Sequence, residues 1–218
     1  MAHDELTMRL TLTTFLTIDG VMQSSAEPTG DGTRGFDLGG WLVPFADIDM
    51  GRYVTEGFYE ADAFLLGRKT YEIMHSHWPN VTDANDIVAT KLNHRPKYVV
   101  TKTLRSTSWA HTQIVDGDLK SAVEALKRQP GLELQVHGSR QLARSLHNLG
   151  LIDEYRLWIF PVVLGKGHRL FDDGAIPTAF QLIDTKTTSA GVSVQSFVPM
   201  GVPTYGEASA ENGVETVT

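Results

Sequence analysis

The sequence predicts an α/β fold in which a mostly parallel central sheet is flanked by helices, and three patterns lead to this prediction. Residues 132–160 have the pattern of a strand, a helix and a strand, which implies parallel strands and a right-handed crossover. An apolar run at 63–66 leads through a glycine into another helix. Two later strands, 180–184 and 192–198, have only a short connection, so we expect antiparallel pairing at the edge of the sheet.

The remaining elements follow from local signals. Asp118 can cap a helix whose apolar residues recur at helical spacing and which ends at Pro130. Ser139 can cap the next helix, and Gly150 ends it. In chain order, we predict strands at 9–16, 63–66, 97–101, 132–136, 154–160, 180–184 and 192–198, helices at 47–61, from about 69, at 118–129 and at 139–148, a long loop at 23–40 and an irregular stretch at 75–96.

Length and composition indicate one domain with a tail. The chain has 218 residues, and its hydrophobic fraction of 41% and charged fraction of 21% are ordinary for a soluble globular protein. We place the domain at 8–200. Residues 201–218 carry few large apolar side chains, so we predict a disordered tail.

Several classes of protein are disfavoured. No apolar run approaches membrane-span length, and the N-terminus lacks the pattern of a signal peptide, so we expect a cytoplasmic protein without membrane contact. The absence of cysteine excludes disulfides, thiolate zinc sites and cysteine nucleophiles. The formal net charge is −7 and no Lys/Arg cluster occurs, which argues against a nucleic-acid partner.

Two glycine turns are the strongest functional signal. Gly67 follows the apolar run at 63–66 and precedes Arg68, Lys69 and Thr70 at the start of a helix. Helix N-termini present free N–H groups and a positive dipole end, which favour bound anions. A second turn of this kind lies at 138–140. Because both turns follow the carboxyl ends of strands, we expect them to face one crevice and to hold a dinucleotide.

Several motifs together resemble the dihydrofolate reductase family. Residues 66–71 look like the Gly-Arg-His/Lys-Thr-Trp/Tyr motif of these enzymes. Residues 97–102 look like the next strand, whose end contacts the NADPH 2′-phosphate, and 136–142 look like the Gly-Gly turn and its helix. Residues 149–154 and 161–167 are closer still to one branch, the RibD C-terminal reductase domain and its stand-alone relatives.

The resemblance implies a dihydrofolate-reductase fold, NADPH as the cofactor and, by analogy, a homodimer. Arg68 and Lys69 would face the adenosine-side phosphates, Thr70 would meet the pyrophosphate, and Thr101 and Lys102 would help select the 2′-phosphate. The predicted cofactor-binding residues are Gly67, Arg68, Lys69, Thr70, Thr101, Lys102, His137, Gly138, Ser139, Arg140, Gln141 and Leu142.

Two departures leave the substrate open. The riboflavin enzymes usually have an acidic residue immediately before the glycine turn, where this chain has His137, and they carry a deaminase domain for which this chain has no room. Dihydrofolate reductases use one carboxylate on the helix after the first long loop. Here that helix offers Asp47, Asp49 and Glu56, none at a diagnostic spacing.

We therefore predict an NADPH-dependent reductase that transfers a hydride to a small, heterocyclic, pterin- or pyrimidine-like substrate. Asp19, Asp49 or a relayed water would deliver the accompanying proton, and residues 17–40 would form a lid. Trp41 and Phe45 would cover a flat ring, with core packing as the competing interpretation. The predicted substrate-binding residues are Trp41, Phe45 and Glu56.

Two alternatives remain open at this point. The chain could be a nucleotide- or flavin-binding protein without turnover, because no diagnostic carboxylate is present. His75, His77 and His94 suggest a metal-dependent hydrolase, but the segment looks irregular and fixes no third ligand, so we predict no metal site.

Overall fold

The computed structural model describes residues 7–26, 35–206, 208–211 and 214–217, and an eight-stranded sheet forms its centre. Residues 1–6 and 27–34, the latter within the predicted lid, lie outside the described residues. The strands are β1 (Arg9–Thr17), β2 (Ala61–Gly67), β3 (Lys97–Val100), β4 (Thr112–Val115), β5 (Glu133–His137), β6 (Glu154–Phe160), β7 (Ala179–Thr187) and β8 (Ser193–Gly201). The helices are α1 (Ile48–Phe58), α2 (Arg68–His77), α3 (Ile87–His94), α4 (Leu119–Lys127) and α5 (Arg140–Asn148), with short 3-10 helices at Val43–Phe45 and Trp78–Asn80.

The strand order across the sheet is β4-β3-β2-β5-β1-β6-β8-β7. The first six strands in this order pair in parallel, and β8 and β7 pair antiparallel at one edge, which confirms the predicted fold class. The predicted strand-helix-strand unit exists, but its two strands do not pair with each other. Instead, β1 lies between β5 and β6 and pairs with both, a long-range contact that local sequence does not reveal.

Helices cover both faces of the sheet. Successive side chains of each strand point to opposite faces, so apolar side chains lie on both faces and both must be buried. On one face, Leu10 and Leu12 of β1 pack with Val123 of α4 and Leu146 of α5. On the other face, α1, α2 and α3 pack over β2 and β3, with the Phe64 side chain at the centre of the cluster. No helix in the described part of the chain is long and apolar enough to cross a membrane.

Two elements differ from the prediction for the middle of the chain. Residues 87–94, assigned to an irregular stretch, form α3, which begins where the Asp86 carboxylate accepts a hydrogen bond from the Ala89 N–H at 2.9 Å. This helix buries Val88 and Leu92, so tertiary packing stabilises a segment of weak periodicity. The strand β4 was not predicted, and it pairs in parallel with β3.

The predicted disordered tail contains regular backbone structure. Residues 208–211 (β9) and 214–217 (β10) pair antiparallel as a separate two-stranded sheet, and β8 extends to Gly201. The two strands satisfy each other's backbone N–H and C=O groups, so this segment forms a ladder although it carries few large apolar residues. Residues 207, 212, 213 and 218 lie outside the described residues.

Candidate active site

A cleft of about 1880 Å³ opens at the carboxyl ends of the parallel strands. Its walls come from the ends of β2, β3 and β5, the first turns of α2 and α5, one side of α1 and the loop that follows β1. Ligands of open α/β sheets bind in this position, where the loops and helix N-termini converge. The volume exceeds that of a pocket for one drug-sized molecule, so the cleft has room for a dinucleotide and a small second ligand.

The two glycine turns meet at the floor of this cleft. The Gly67 N–H donates to the Ser139 Oγ at 2.9 Å, and the Thr70 and Ser139 hydroxyls lie 2.6 Å apart. A Cβ atom at position 67 would lie 2.7 Å from the Ser139 Oγ, so only glycine fits there. Gly138 and Ser139 both have left-handed backbone conformations, with φ of +58° and +57°, which turn the chain sharply into α5.

The five α-helices of the described ranges fall into two groups at their N-termini. Asp47, Asp86 and Asp118 cap α1, α3 and α4, each accepting a backbone N–H at 2.7, 2.9 and 2.8 Å respectively. Among the described residues, no side chain caps α2 or α5, which begin after Gly67 and Ser139. The predicted cap by Ser139 is therefore wrong, because its hydroxyl contacts the other turn. Both uncapped N-termini border the cleft and present backbone N–H groups for an anion.

All twelve predicted cofactor-binding residues line the cleft. Arg68 forms an ion pair with Glu72 at 3.2 Å, one turn further along α2. Arg140 is held by the Asp172 carboxylate, so its guanidinium is not wholly available to a ligand. The Thr101 Oγ1 accepts N–H groups from the two residues at 103 and 104, at 3.2 and 3.1 Å, and so shapes the turn after β3.

A polar network forms the other half of the cleft, on the sheet face below α1. Arg156 donates to both carboxylate oxygens of Glu133, at 2.5 and 3.0 Å, and to Glu154 at 2.7 Å. The Glu133 side chain is fully buried. Burial raises the pKa of Glu133, but the hydrogen bonds and charge of Arg156 outweigh it, so this pKa lies below its usual value. The network is therefore ionised and held in one arrangement.

The arrangement of Gln135 fixes the tautomer of His137. The Gln135 Nε2 donates to the Gly57 carbonyl and to the Glu133 carboxylate, both at 2.7 Å, and neither of these oxygens can donate. Its Oε1 therefore accepts from His137, whose Nε2 lies 3.0 Å away and must carry the proton. The His137 Nδ1 is then an acceptor, and it has no hydrogen-bond partner within the described ranges.

His137 is neutral at physiological pH. Burial, and then the positive charge of Arg156, lower its pKa to about 4, while Glu133 has a smaller opposite effect. The imidazole stacks on the Phe58 ring with centroids 4.8 Å apart, which holds the ring in place. The cleft thus contains a rigid, uncharged acceptor immediately before the second glycine turn.

The two predicted proton donors do not line the cleft. Asp19 accepts hydrogen bonds from the Thr17 hydroxyl at 2.6 Å and from the Gly165 N–H at 2.9 Å. The Thr17 hydrogen bond lowers the pKa of Asp19 most, burial partly opposes it, and the pKa is about 2. Asp49 accepts from the Ser189 N–H at 3.0 Å and so joins α1 to the turn between β7 and β8. Both carboxylates hold loops in place, and the geometry speaks against proton transfer by either.

The predicted substrate-binding residues divide in the same way. Glu56 lines the cleft and pairs with Lys186 at 3.2 Å. Trp41 and Phe45 instead pack edge-on against Phe160, with ring centroids 5.3 and 6.1 Å away, in a core cluster. Core packing, the competing interpretation of these two aromatic residues, describes their positions.

Sequence reasoning missed Glu154 and Arg156, which line the cleft. Both lie on β6 two positions apart, and therefore on one face of a central strand. The available signal was a pair of charged residues at alternate positions of a strand that is buried on both sides. Buried charges need partners, so such a pair predicts a polar network on that face.

The three histidines of the metal hypothesis lie apart from one another. His75 stacks on Tyr71 with centroids 5.4 Å apart, and the His94 Nδ1 lies 2.9 Å from the Thr90 carbonyl oxygen. His77 packs edge-on against Trp78. Over the described ranges, no group of three His, Cys, Asp or Glu side chains is arranged to hold a metal ion.

Fold and cleft together define an α/β protein of the dihydrofolate-reductase type. The profile of the RibD C-terminal domain family matches residues 8–194, and the chain belongs to this family. It is 35% identical to the uncharacterized protein YyaP of Bacillus subtilis (strain 168) over 154 residues, which are 70% of this chain and 79% of that protein.

Solved structures share the fold at low sequence identity. A pyrimidine reductase-like protein of Corynebacterium diphtheriae NCTC has a TM-score of 0.60 at 15% identity, covering 88% of this chain and 92% of that one. The diaminohydroxyphosphoribosylaminopyrimidine deaminase/5-amino-6-(5-phosphoribosylamino)uracil reductase of Thermotoga maritima has a TM-score of 0.58 at 15% identity, covering 88% and 57%. Dihydrofolate reductase of Enterococcus faecalis, complexed with NADP(H), has a TM-score of 0.54 at 10% identity, covering 88% and 96%. These likenesses show the fold.

Proposed function

We propose that this protein is an NADPH-dependent reductase that transfers a hydride to a small, heterocyclic, pterin- or pyrimidine-like substrate. One observation carries the proposal: two helix N-termini, which no side chain of the described ranges caps, meet through Ser139 at the floor of a large cleft. Such an arrangement offers N–H groups from both sides to a pyrophosphate. NADPH, when bound, supplies a hydride from its nicotinamide ring.

The residues present fit a dinucleotide with an extra phosphate. At Gly138 the absence of a side chain lets a ligand approach the backbone closely, whereas the space beside Gly67 is filled by Ser139. Thr70 and Ser139 would meet the pyrophosphate. Arg68, Lys69 and Lys102 would hold the 2′-phosphate, because cationic side chains suit a phosphate dianion.

One acidic residue makes the cofactor choice a sharp test. Asp116 follows β4 and lines the same end of the cleft as Lys102. A carboxylate near the adenosine ribose is a feature of NAD-binding sites, where it accepts a hydrogen bond from the 2′-hydroxyl. We expect the cations Arg68, Lys69 and Lys102 to outweigh it and NADPH to bind more tightly than NADH.

Calorimetric titration with NADPH and, separately, with NADH tests the proposal. We expect saturable NADPH binding in the micromolar range and NADH binding at least about tenfold weaker, the equivalent of about 1.4 kcal/mol. Asp116→Asn is the matched variant, and it should weaken NADH binding more than NADPH binding. Flat isotherms for both cofactors would contradict the proposal.

A nucleotide- or flavin-binding protein without turnover is the second candidate. The observation in its favour is that Asp19 and Asp49, the predicted proton donors, do not line the cleft. If the protein is a reductase, the proton for a reduced C=N or C=O group would have to come from water or from another carboxylate of the cleft, such as Glu56. The loss of NADPH absorbance in the presence of a panel of pterins and pyrimidines distinguishes the candidates. A reductase should oxidise NADPH with at least one of them, whereas a pure binder would bind its nucleotide and oxidise no NADPH.

We further propose a homodimer formed through the antiparallel edge. β7 ends the sheet, and its Leu182 and Ile183 side chains are each 49% exposed. Unpaired edge strands invite pairing with another chain. Ile183 also lines the cleft, so a partner on this edge would lie beside the site. Light scattering coupled to size exclusion should give twice the chain mass, and Leu182→Lys should give the monomer.

A further inference from the structure

The two ends of the cleft differ in charge. We call them the cofactor end, around the first turns of α2 and α5, and the sheet-face end, between α1 and strands β6 to β8. Cationic side chains dominate the cofactor end. The sheet-face end is lined by the carboxylates of Glu56, Glu60, Glu154 and Asp184 and by the cations of Arg156 and Lys186.

Each cation of the sheet-face end is already paired. Arg156 is held by Glu133 and Glu154, and only 19% of its side chain is exposed. Lys186 pairs with Glu56 at 3.2 Å. A phosphate placed here would have to displace a carboxylate from one of these pairs, and the displaced carboxylate would remain nearby as a like charge.

The unpaired charge at this end is negative. Asp184 lies on the edge strand β7, and within the part of the chain that the structure describes it forms no ion pair. Glu60, Glu133 and Glu154 pair with Arg9, and the last two also pair with Arg156, so three carboxylates share two guanidinium groups. The local balance therefore attracts cations and repels anions.

The acceptor at His137 adds a second, independent constraint. Its Nδ1 lacks a partner among the described residues and belongs to a side chain that lines the cleft. A ring that stays neutral cannot donate from this nitrogen, so a bound molecule satisfies it only with an N–H or O–H group. His137 lies on β5 and Asp184 on β7, four strands along the sheet, so the acceptor and the unpaired carboxylate lie on opposite sides of this end of the cleft.

We propose that the substrate at the sheet-face end is an unphosphorylated nitrogen-ring compound, neutral or positively charged, that donates an N–H group to the His137 Nδ1. This inference rests on the proposed reductase function and refines its substrate class. It sets this chain apart from the Thermotoga maritima protein, whose name specifies a phosphoribosyl substrate. His137 would then serve the substrate, while its neighbours Gly138 and Ser139 serve the cofactor.

Four one-ring probes of matched size test the charge preference. Benzamidine is a cation, benzamide is neutral, benzoate is an anion and phenyl phosphate is a phosphate ester. Each is titrated by ligand-observed NMR into the full chain saturated with NADPH, so that the cofactor end is filled. We expect affinity to fall in that order, with benzamidine binding at least about tenfold more tightly than phenyl phosphate.

Variants locate the preference. Asp184→Asn should narrow the difference between benzamidine and phenyl phosphate about threefold, an order of magnitude appropriate to one partly screened charge. Glu72→Gln, which removes the same charge at the cofactor end, is the matched control and should leave the probe order unchanged. His137→Phe keeps the stacking on Phe58 and should weaken benzamide binding about fivefold, the cost of one hydrogen bond.

The outcomes separate the two levels of the proposal. A flat NADPH isotherm would contradict the reductase function, and this inference with it. NADPH binding followed by phenyl phosphate or benzoate binding as tightly as benzamidine would overturn the inference alone. Absence of binding by all four probes, or an equal effect of Asp184→Asn and Glu72→Gln, would overturn it as well.

Discussion

The helices of this protein differ in how the unpaired N–H groups of their first turns are satisfied. α1, α3 and α4 each begin at an aspartate that accepts one of the unpaired N–H groups. In the described part of the chain, α2 and α5 have no such cap, and they begin beside each other in the cleft. A cap stabilises a helix by about 1 kcal/mol. Under the proposed function, the two cleft-lining helices forgo this stabilisation and offer their first N–H groups to an anion.

Substitution at the first glycine turn should have the largest effect. In Gly67→Val the new side chain would collide with Ser139, whose Oγ lies 2.7 Å from the position of a Cβ atom. We expect the turns to separate and NADPH affinity to fall at least about 100-fold, equivalent to about 2.8 kcal/mol. Calorimetric titration measures this loss.

The control for this variant is a glycine of a capped helix. In Gly51→Ala a Cβ atom would meet nothing within 4 Å, and this glycine lies inside α1. We expect unchanged NADPH affinity and a gain in stability of about 0.5–1 kcal/mol. Equal NADPH affinity for the Gly67 and Gly51 variants would show that the turn does not bind the cofactor.

As pH falls, the protonation of His137 should lower the free energy of unfolding at a higher pH than the protonation of the aspartate caps does. The pKa of His137 is about 4 in the folded protein against an ordinary 6.5, so the unfolded chain binds a proton between these values that the folded protein does not. Stability is therefore lost as pH falls from about 6.5 to about 4, by an amount on the order of 2 kcal/mol. His137→Phe should remove this part of the loss, as measured by urea unfolding at several pH values.

The aspartate caps respond to acid in a lower range. Hydrogen bonds from Ser121 lower the pKa of Asp118 below its ordinary 3.8, so this cap contributes its stability above that value and loses it as pH falls further. The difference in unfolding free energy between His137→Phe and the unsubstituted protein should therefore change between pH 6.5 and 4, where Asp118 remains ionised. A difference that stays constant over this range would contradict the account.

Removal of the hydroxyl that joins the two turns should have a smaller effect. Ser139→Ala deletes the acceptor of the Gly67 N–H and the contact with Thr70. We expect NADPH affinity to fall about tenfold and stability to fall by about 1 kcal/mol. Ser76→Ala, which removes an exposed hydroxyl bond within α2, is the control and should leave affinity unchanged. Equal NADPH affinities for the two variants would show that the contact of Ser139 with Gly67 and Thr70 does not contribute to cofactor binding.

The smallest effect on binding should come from a cap. Asp86→Ala removes the hydrogen bond to the Ala89 N–H at the start of α3, outside the lining of the cleft. We expect a loss of about 1 kcal/mol in unfolding free energy and no change in NADPH affinity. A variant that loses affinity in proportion to stability would mean that the capped and uncapped helices do not differ in function.

The sequence predicted what local chemistry determines. Periodicity and turn residues identified most strands and helices, and the glycine turns were visible because each occupies a few consecutive residues. The helix α3 was missed because its stability comes from burying Val88 and Leu92 beneath the rest of the fold. The position of β1 between β5 and β6 depends on pairing between residues more than a hundred positions apart.

The site divides along the same line. Gly67 and Gly138 could be identified from sequence, whereas the network of Glu133 and Arg156 forms only when β5 and β6 take their places around β1. Asp19 was predicted as a proton donor because, in the sequence, a carboxylate that follows a strand has the same pattern whether it faces a ligand or holds a loop. Only its hydrogen bonds, among them that from the Gly165 N–H, distinguish the two.

The most direct test follows backbone amide signals while NADPH is added. In a heteronuclear NMR titration we expect the largest saturable shifts at residues 67–70 and 138–141, the two uncapped N-termini, and little change at the first turns of α1, α3 and α4. The Ser139→Ala variant should show the same pattern at higher ligand concentration. Saturable shifts centred elsewhere, or none at either uncapped N-terminus, would contradict the claim that these helices are left open for the cofactor.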